Sequence, residues 1–405
     1  MQRRVVVTGL GVVSACGLNV NAFWDSMRQG RSGIHPITTL PPNQLRFTNA
    51  CDIPDFDPNN YFDPKEAAYL DRFAHYGAVA AREAIKDSGV EFSGELKERT
   101  AIVTGSCLGG KASEDEGYVQ LYRCNTTRCN PLTIPKAMAN GAASRISFEH
   151  GLVGPTYTIS TACSSANHAI GQAFWMVRNG GADLAVTGGS EAVFSLGLLY
   201  AWNAMRVVSP DTCRPFSKDR KGLVLGDGAG ILILEPLETA RARGARIYAE
   251  IVGFGMSSDA HHITQPSSEG AARALRGALD DAGMAPEEVS YINAHGTGTD
   301  ANDRTETAAI RSVFGPHADK LAVSSTKSMH GHTLGAAGAI EAVATILAMR
   351  CGTIPPTANY TTPDPACDLD IVPNTPRQLQ VGAAVSNSFA FGGLNAVLAF
   401  RAHQC

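Results

Sequence analysis

Short aliphatic and β-branched runs alternate along the whole chain with stretches whose apolar positions recur at helical spacing. Strands are predicted at 4–9, 100–105, 156–161, 182–188, 230–234, 248–253, 289–294, 320–325, 382–388 and 396–400. Helices are predicted at 72–88, 164–179, 268–282, 303–314 and 335–351. Runs such as Leu184-Ala185-Val186 show no polar alternation, so their sheets are expected to be buried on both faces. Alternating β and α elements with buried sheets predict a layered α/β architecture. The polar, helix-prone stretch 235–245 closes a first half, and Tyr248 opens a second, dividing the chain at 1–246 and 247–405. A chemistry-bearing strand end occurs in each half, Cys163 in the first and His295 and His332 in the second. That is consistent with a duplicated unit sharing one site, although direct sequence repetition is weak.

Composition narrows the function. A chain of 405 residues exceeds one ordinary core. With 44% hydrophobic and 18% charged residues it is a well-buried globular protein rather than a disordered one. A net charge of −4 gives no reason to propose nucleic acid as a ligand. The ten cysteines show no CxxC pairs, which argues against a disulfide scaffold or zinc site and for the reducing cytoplasm. Arg3-Arg4, the apolar run to Val13 and Ser14-Ala15-Cys16 imitate a lipoprotein signal. The run is short and broken by Gly9 and Gly11, so strand and turn are expected instead. The longest apolar run, 336–349, carries Glu341 and is too short for a bilayer, so no membrane role is expected.

Three segments carry chemistry. Cys163 sits between a β-rich run and a helix, where unpaired backbone N–H groups and the helix dipole favour a thiolate nucleophile. His295, after a predicted strand, is followed by Gly296-Thr297-Gly298-Thr299, a backbone that a ligand can approach closely. His332 is flanked by Lys327 five residues upstream and Glu341 nine downstream, charges able to set its tautomer and pKa. Ligation of a metal by His330 and His332 is the rival reading, disfavoured by the intervening glycine and the lack of a nearby carboxylate pair. The loop 386–395 is either a plain β-turn or a device that aims N–H groups at an oxyanion. No Lys-Ser/Thr follows its glycines, so it is not a phosphate loop. Neither Gly9-Leu10-Gly11 nor 226–230 has the setting of a dinucleotide site.

Taken together, segments 161–165, 293–299, 327–338 and 387–395 resemble the β-ketoacyl-[acyl carrier protein] synthases of the elongating, KAS II-like type. The likeness runs from Arg4 to the last strand, and Pro210-Asp211-Thr212-Cys213-Arg214-Pro215-Phe216 looks similar to the nodulation and polyene branch. The resemblance implies a thiolase-like fold of five αβαβα layers with duplicated halves. It implies no bound cofactor and no metal, with substrates carried on the phosphopantetheine of acyl carrier protein. The assembly it implies is a homodimer, or a heterodimer with a chain-length-factor-like subunit.

By the same resemblance Cys163 accepts the acyl chain, and His295 and His332 promote malonyl decarboxylation and hold the enolate. Lys327 and Glu341 tune His332. The N–H groups of Cys163 and Phe391 form the oxyanion hole, with Phe389, Phe391 and Gly392 in the gate. Leu108 and Trp202 line the acyl tunnel, Thr297 and Thr299 meet the pantetheine arm, and Lys65 and Arg206 grip the carrier protein. Several positions depart from the family pattern: His330 for Thr, Ala390 for Gly, Leu394 for Thr, and Tyr69 where a basic residue is common. Ala390 is expected to stiffen the gate, and the departures together point to a specialised pathway rather than housekeeping elongation. A non-decarboxylating thiolase would need a second cysteine in 387–395, and a non-catalytic partner subunit would lack Cys163.

Overall fold

A computed structural model describes residues 2–38, 45–124 and 126–403. Among the described residues, ten strands form one continuous sheet. They are β1 (Val5–Ser14), β2 (Thr100–Gly105), β3 (Thr156–Ile159), β4 (Leu184–Glu191), β5 (Gly228–Pro236), β6 (Ala249–Ser258), β7 (Tyr291–Asn293), β8 (Ala322–Ser324), β9 (Ala383–Ala390) and β10 (Leu394–Arg401). The first five are ordered β1-β5-β4-β2-β3, and the second five repeat that pattern as β6-β10-β9-β7-β8. Directions repeat too: the outer two pairings on one side of each group are antiparallel, the other two parallel. A short antiparallel contact between Val5–Val7 and Ala249–Ile251 joins the groups. The duplication is thus carried by topology, which constrains strand order but leaves side chains free to diverge.

Five helices matter to the site: α1 (Arg72–Ser88), α2 (Ser165–Arg178), α3 (Ser268–Ala282), α4 (Asp300–Phe314) and α5 (Ala337–Cys351). Helices α2 and α5 touch strands of both groups and each other, so they form the middle layer. Outside the first group lie α1 and the helix Gly141–His150, and outside the second lies α3 with α4 against it. The result is five layers, αβαβα, in a thiolase-like fold. Small residues on the middle helices, among them Ala169, Ala173, Ala339 and Val343, join Val12, Leu232 and Leu398 in the central apolar core. One helical stretch among the described residues, Leu334–Cys351, is long and apolar enough to cross a membrane, and 89% of it is buried in the protein. Its apolar composition is what a helix between two sheets requires.

Two local expectations are corrected. The N-terminal run does not turn at Gly9: β1 continues to Ser14, with a bulge between Val7 and Gly9. Gly9 and Gly11 serve packing, since a Cβ there would lie 2.1 Å from Ala84 O and 1.9 Å from Ala80 O of α1. The helical segment expected over 235–245 is shorter, Leu237–Ala242, because Glu235 and Pro236 still pair in β5.

Candidate active site

Between Ile159 and Ser165 the chain turns from β3 into α2. Ala162 makes that turn at φ 52, a left-handed value that a residue with a Cβ keeps only when its neighbours hold it. Ser165 Oγ does so, accepting from Thr161 N–H at 2.9 Å and donating to Ala162 O at 2.7 Å. Cys163 is thereby presented just ahead of the first turn of α2, 7% exposed.

His295 follows β7 on a loop gripped by two buried carboxylates of α4. Glu306 accepts from the amides of His295 and Gly296, both at 2.8 Å, and Asp303 from those of Gly298 and Phe216 at 3.2 and 2.7 Å. The loop needs its glycines, with φ of 36 at Gly296 and 77 at Gly298. His332 lies between the helical turn Lys327–His330 and α5. Its Nε2 is 3.1 Å from Cys163 Sγ, and its Nδ1 accepts the Leu334 N–H at 3.3 Å. An accepting Nδ1 assigns the ring proton to Nε2. The rings of His295 and His332 meet edge to face with centroids 5.4 Å apart, and Phe389 stands against His295 at 6.1 Å. Sγ and one nitrogen of each ring lie within 4.8 Å of one another. A thiophilic cation could occupy that set, in competition with acylation. His330 is not part of it: it is fully buried, with Nε2 on Thr326 Oγ1 at 3.0 Å.

Lys327 and Glu341 are ion-paired with no exposed surface. Burial raises the Glu341 carboxyl to about 7 against the pull of Lys327. Burial, then the Lys327 cation, then the neighbouring imidazole hold both His295 and His332 well below the ordinary histidine range. Burial pushes the Cys163 thiol up to about 11, opposed by Lys327 and by the backbone N–H groups of Phe391 and Cys163. The thiolate expected at a helix start is therefore not the resting form, because desolvation outweighs the local positive field. The same two N–H groups converge on the sulfur, one from each half of the chain.

A pocket of about 540 Å³, open mouth included, lies in front of Cys163. Its walls bring together His295, His332, Trp202, Thr297, Thr299, Phe389 and Phe391. Trp202 and Phe391 stack at 6.5 Å. Leu108 is outside this lining and packs with Val193, Leu199 and Ala390 in the apolar cluster that also holds Cys163. Gly392 is also outside it, its N–H donating to Ile263 O at 2.7 Å across the mouth. Ala390 continues β9, and the left-handed values fall at Gly392 and Gly393, φ 83 and 71. In this conformation Ala390 has an extended backbone that any residue adopts, and no glycine conformation is needed there. Arg206 is exposed at the end of the helix Leu196–Met205 and lines a neighbouring depression with Arg46, Lys221 and Trp202. Lys65, exposed on the short helix Pro64–Ala67, and exposed Tyr69 line neither hollow.

Sequence reasoning missed the wall formed by His262, Thr264, Gln265 and Pro266, a polar stretch without periodicity, and also Asn302. It missed the supporting carboxylates Glu191, Asp303 and Glu306 as well. Asp303 and Glu306 left a usable signal, acidic residues one helical turn apart directly after a Gly-Thr-Gly-Thr loop.

A buried nucleophilic thiol, two uncharged imidazoles and two converging N–H groups at the meeting of duplicated halves define a condensing acyltransferase. Residues 2–240 match the β-ketoacyl synthase N-terminal domain and residues 248–361 the C-terminal domain. The chain belongs to the β-ketoacyl synthase family. It is 48% identical to Nodulation protein E of Rhizobium sp. (strain N33), over 99% of this chain and 100% of that protein. It is 44% identical to 3-oxoacyl-[acyl-carrier-protein] synthase 2 of Synechocystis sp., over 100% and 99%. Among solved structures, the ishigamide ketosynthase/chain length factor superposes with a TM-score of 0.95 at 39% identity over 100% of both chains. A type II polyketide ketosynthase in complex with its acyl-carrier protein gives 0.90 at 32%, again over 100% of both.

Proposed function

We propose that this enzyme extends a Cys163-bound acyl chain with malonyl-acyl carrier protein, in a specialised fatty acid, polyene or polyketide pathway. In the first half-reaction Cys163 Sγ attacks an acyl-carrier thioester. The carbonyl–sulfur bond to the carrier breaks, and the thiol proton leaves on the carrier's sulfur. The N–H groups of Cys163 and Phe391 stabilise the oxyanion. In the second, the malonyl C–CO₂ bond breaks, CO₂ departs, and the electron pair forms an enolate whose oxygen faces His295 and His332. The carbanion attacks the acyl carbonyl and the bond to Cys163 breaks. One proton taken up from solvent restores the thiol, and the product is a 3-oxoacyl-carrier thioester.

The observation that carries this reading is the His332–Cys163 geometry: Nε2 is 3.1 Å from Sγ, and its proton is fixed by the bond at Nδ1. Neutral ring donors suit an enolate oxygen because they give hydrogen bonds without protonating the nucleophilic carbon. On this reading no cofactor is bound, acyl groups arrive on phosphopantetheine, and the enzyme works in the cytoplasm. Arg206 and Lys65 are the proposed grips for an acidic carrier protein. The partner subunit is a second copy or a chain-length-factor-like chain, the latter favoured by the name of the ishigamide neighbour. Solution mass, measured alone and with candidate subunits, separates the two.

Incubation with a panel of acyl-carrier proteins followed by intact-mass measurement tests the core of the proposal. Adducts should appear on Cys163 and vanish in Cys163→Ala. Turnover confined to saturated long-chain substrates would end the specialised reading, and adducts persisting in Cys163→Ala would end the whole.

A further inference from the structure

Glu191 ends β4 where three parts of the site meet with no room to spare. A Cβ on Gly335 would lie 2.3 Å from Cys107 N and 2.5 Å from Glu191 Oε2. One on Gly189 would lie 2.9 Å from Gly105 O, Gly335 O and Ala166 Cβ, and one on Gly105 would lie 2.5 Å from Ala166 N. The loop after β2, the loop after His332 and the first turn of α2 thus touch backbone to backbone. Into this junction Glu191 places a carboxylate with no exposed surface. Its oxygens accept from four neutral donors. These are Ser106 Oγ at 3.1 Å and Leu108 N at 3.2 Å on Oε1, and Cys107 N at 2.6 Å and Gly335 N at 3.1 Å on Oε2. Burial raises this carboxyl to about 8 against the pull of those four donors, and a buried acid held only by backbone and hydroxyl groups calls for a reason beyond packing.

The reason lies one residue before Gly335. Leu334 has φ 42, a left-handed value that leucine keeps only under constraint. The constraint is applied on both sides: its own N–H donates to His332 Nδ1 at 3.3 Å, and the next N–H, that of Gly335, donates to Glu191. We infer that Glu191 is a positioning residue for His332. By holding the Gly335 N–H it keeps Leu334 in its turn, the Leu334 N–H on Nδ1, and the ring proton on Nε2 toward Cys163. The same carboxylate also holds the amides of Cys107 and Leu108, which pack behind the pocket in the apolar cluster that includes Cys163. If Leu334 relaxed, Nδ1 would lose its donor and the ring could take the other tautomer. A bare Nε2 would then face the thioester oxygen where a donor is required.

The inference rests on the condensation proposed above, and its test has a readout that needs no substrate. In the full-length protein, Glu191→Gln puts an NH₂ group where an acceptor oxygen stood. Nitrogen NMR of the His332 ring should show the proton on Nε2 in the parent and a tautomer mixture in the variant. Condensation kcat should fall about 10- to 100-fold, less than the roughly 10²- to 10³-fold of losing an oxyanion donor outright because part of the rings keep the productive tautomer, while acylation of Cys163 changes by less than about 3-fold. Leu334→Gly, which removes the backbone strain, should recover part of the loss in the Glu191→Gln background. Glu191→Asp, too short to reach both loops, serves the same comparison if Glu191→Gln does not fold. An unchanged His332 tautomer in either folded variant overturns the inference. So does an equal loss in both half-reactions without recovery by Leu334→Gly. Failure of the condensation reading would appear separately, as a parent enzyme without turnover.

Discussion

His332 gives its protonated Nε2 to Cys163 Sγ at 3.1 Å, and burial with Lys327 keeps the ring uncharged well below the ordinary histidine range. His295 is held neutral in the same way. Both folded-state values are depressed, so the donor form persists as pH falls through about 6.5, where a free histidine would charge. Condensation kcat measured from pH 8 down to pH 5.5 should therefore show no acid limb centred near 6.5. A midpoint there that disappears in His332→Ala would show the ring to be charged in the working enzyme.

The thiol titrates in the opposite sense. Burial places Cys163 at about 11, so the thiolate fraction rises roughly tenfold per pH unit across the neutral range. Alkylation of Cys163 by iodoacetamide should climb from pH 7 to pH 10 without levelling. Neutralising Lys327 removes a charge that lowers this pKa and should slow labelling further. A plateau below pH 8 would contradict the dominance of burial.

Separating the two half-reactions assigns the imidazoles. His295→Ala and His332→Ala should keep acylation of Cys163 but lose condensation by about 10²- to 10³-fold, the usual cost of removing a preorganised oxyanion donor. Cys163→Gln should lose condensation yet still decarboxylate malonyl-carrier protein, because both rings and the pocket remain. Equal loss of acylation and condensation in the histidine variants would refute the division of labour.

How far the site could be read from sequence depended on whether each role had a local signature. Cys163, His295 and His332 stand at strand or helix ends with distinctive neighbours, and the structure brings them into one pocket. Glu191 had none, since its partners at Ser106–Leu108 and Gly335 are distant in sequence and bond through backbone N–H groups. The repeated strand order was equally silent, because it constrains topology rather than residue identity. The thiol's raised pKa was misjudged because helix position is local, whereas desolvation depends on everything packed around it.

Ala390 illustrates the same limit and yields a prediction. Family comparison pointed to a stiffened gate, but Ala390 is paired with Leu394 in the β9–β10 ladder and has no positive φ. Glycine there should lower stability by about 0.5–1 kcal/mol through backbone entropy, without raising turnover. Thermal unfolding and kcat for Ala390→Gly check both parts, and faster turnover would restore the gate argument.

The Lys327–Glu341 pair allows stability and tuning to be separated. With both side chains fully buried, Lys327→Ala leaves the Glu341 carboxyl without its cation, a change that typically costs about 3–5 kcal/mol. Replacing both together, as Lys327→Met with Glu341→Leu, removes the orphaned charge and should recover most of that stability, since apolar residues of similar volume commonly substitute for buried pairs. Activity should not recover with it. Lys327 lowers the pKa of Cys163, His295 and His332 alike, so its loss leaves the thiol harder to ionise and the rings easier to charge. The double variant should therefore unfold near the parent temperature while condensing slowly and gaining an acid limb in its pH profile. A stable double variant with parental kcat and an unchanged profile would reduce the pair to a packing element.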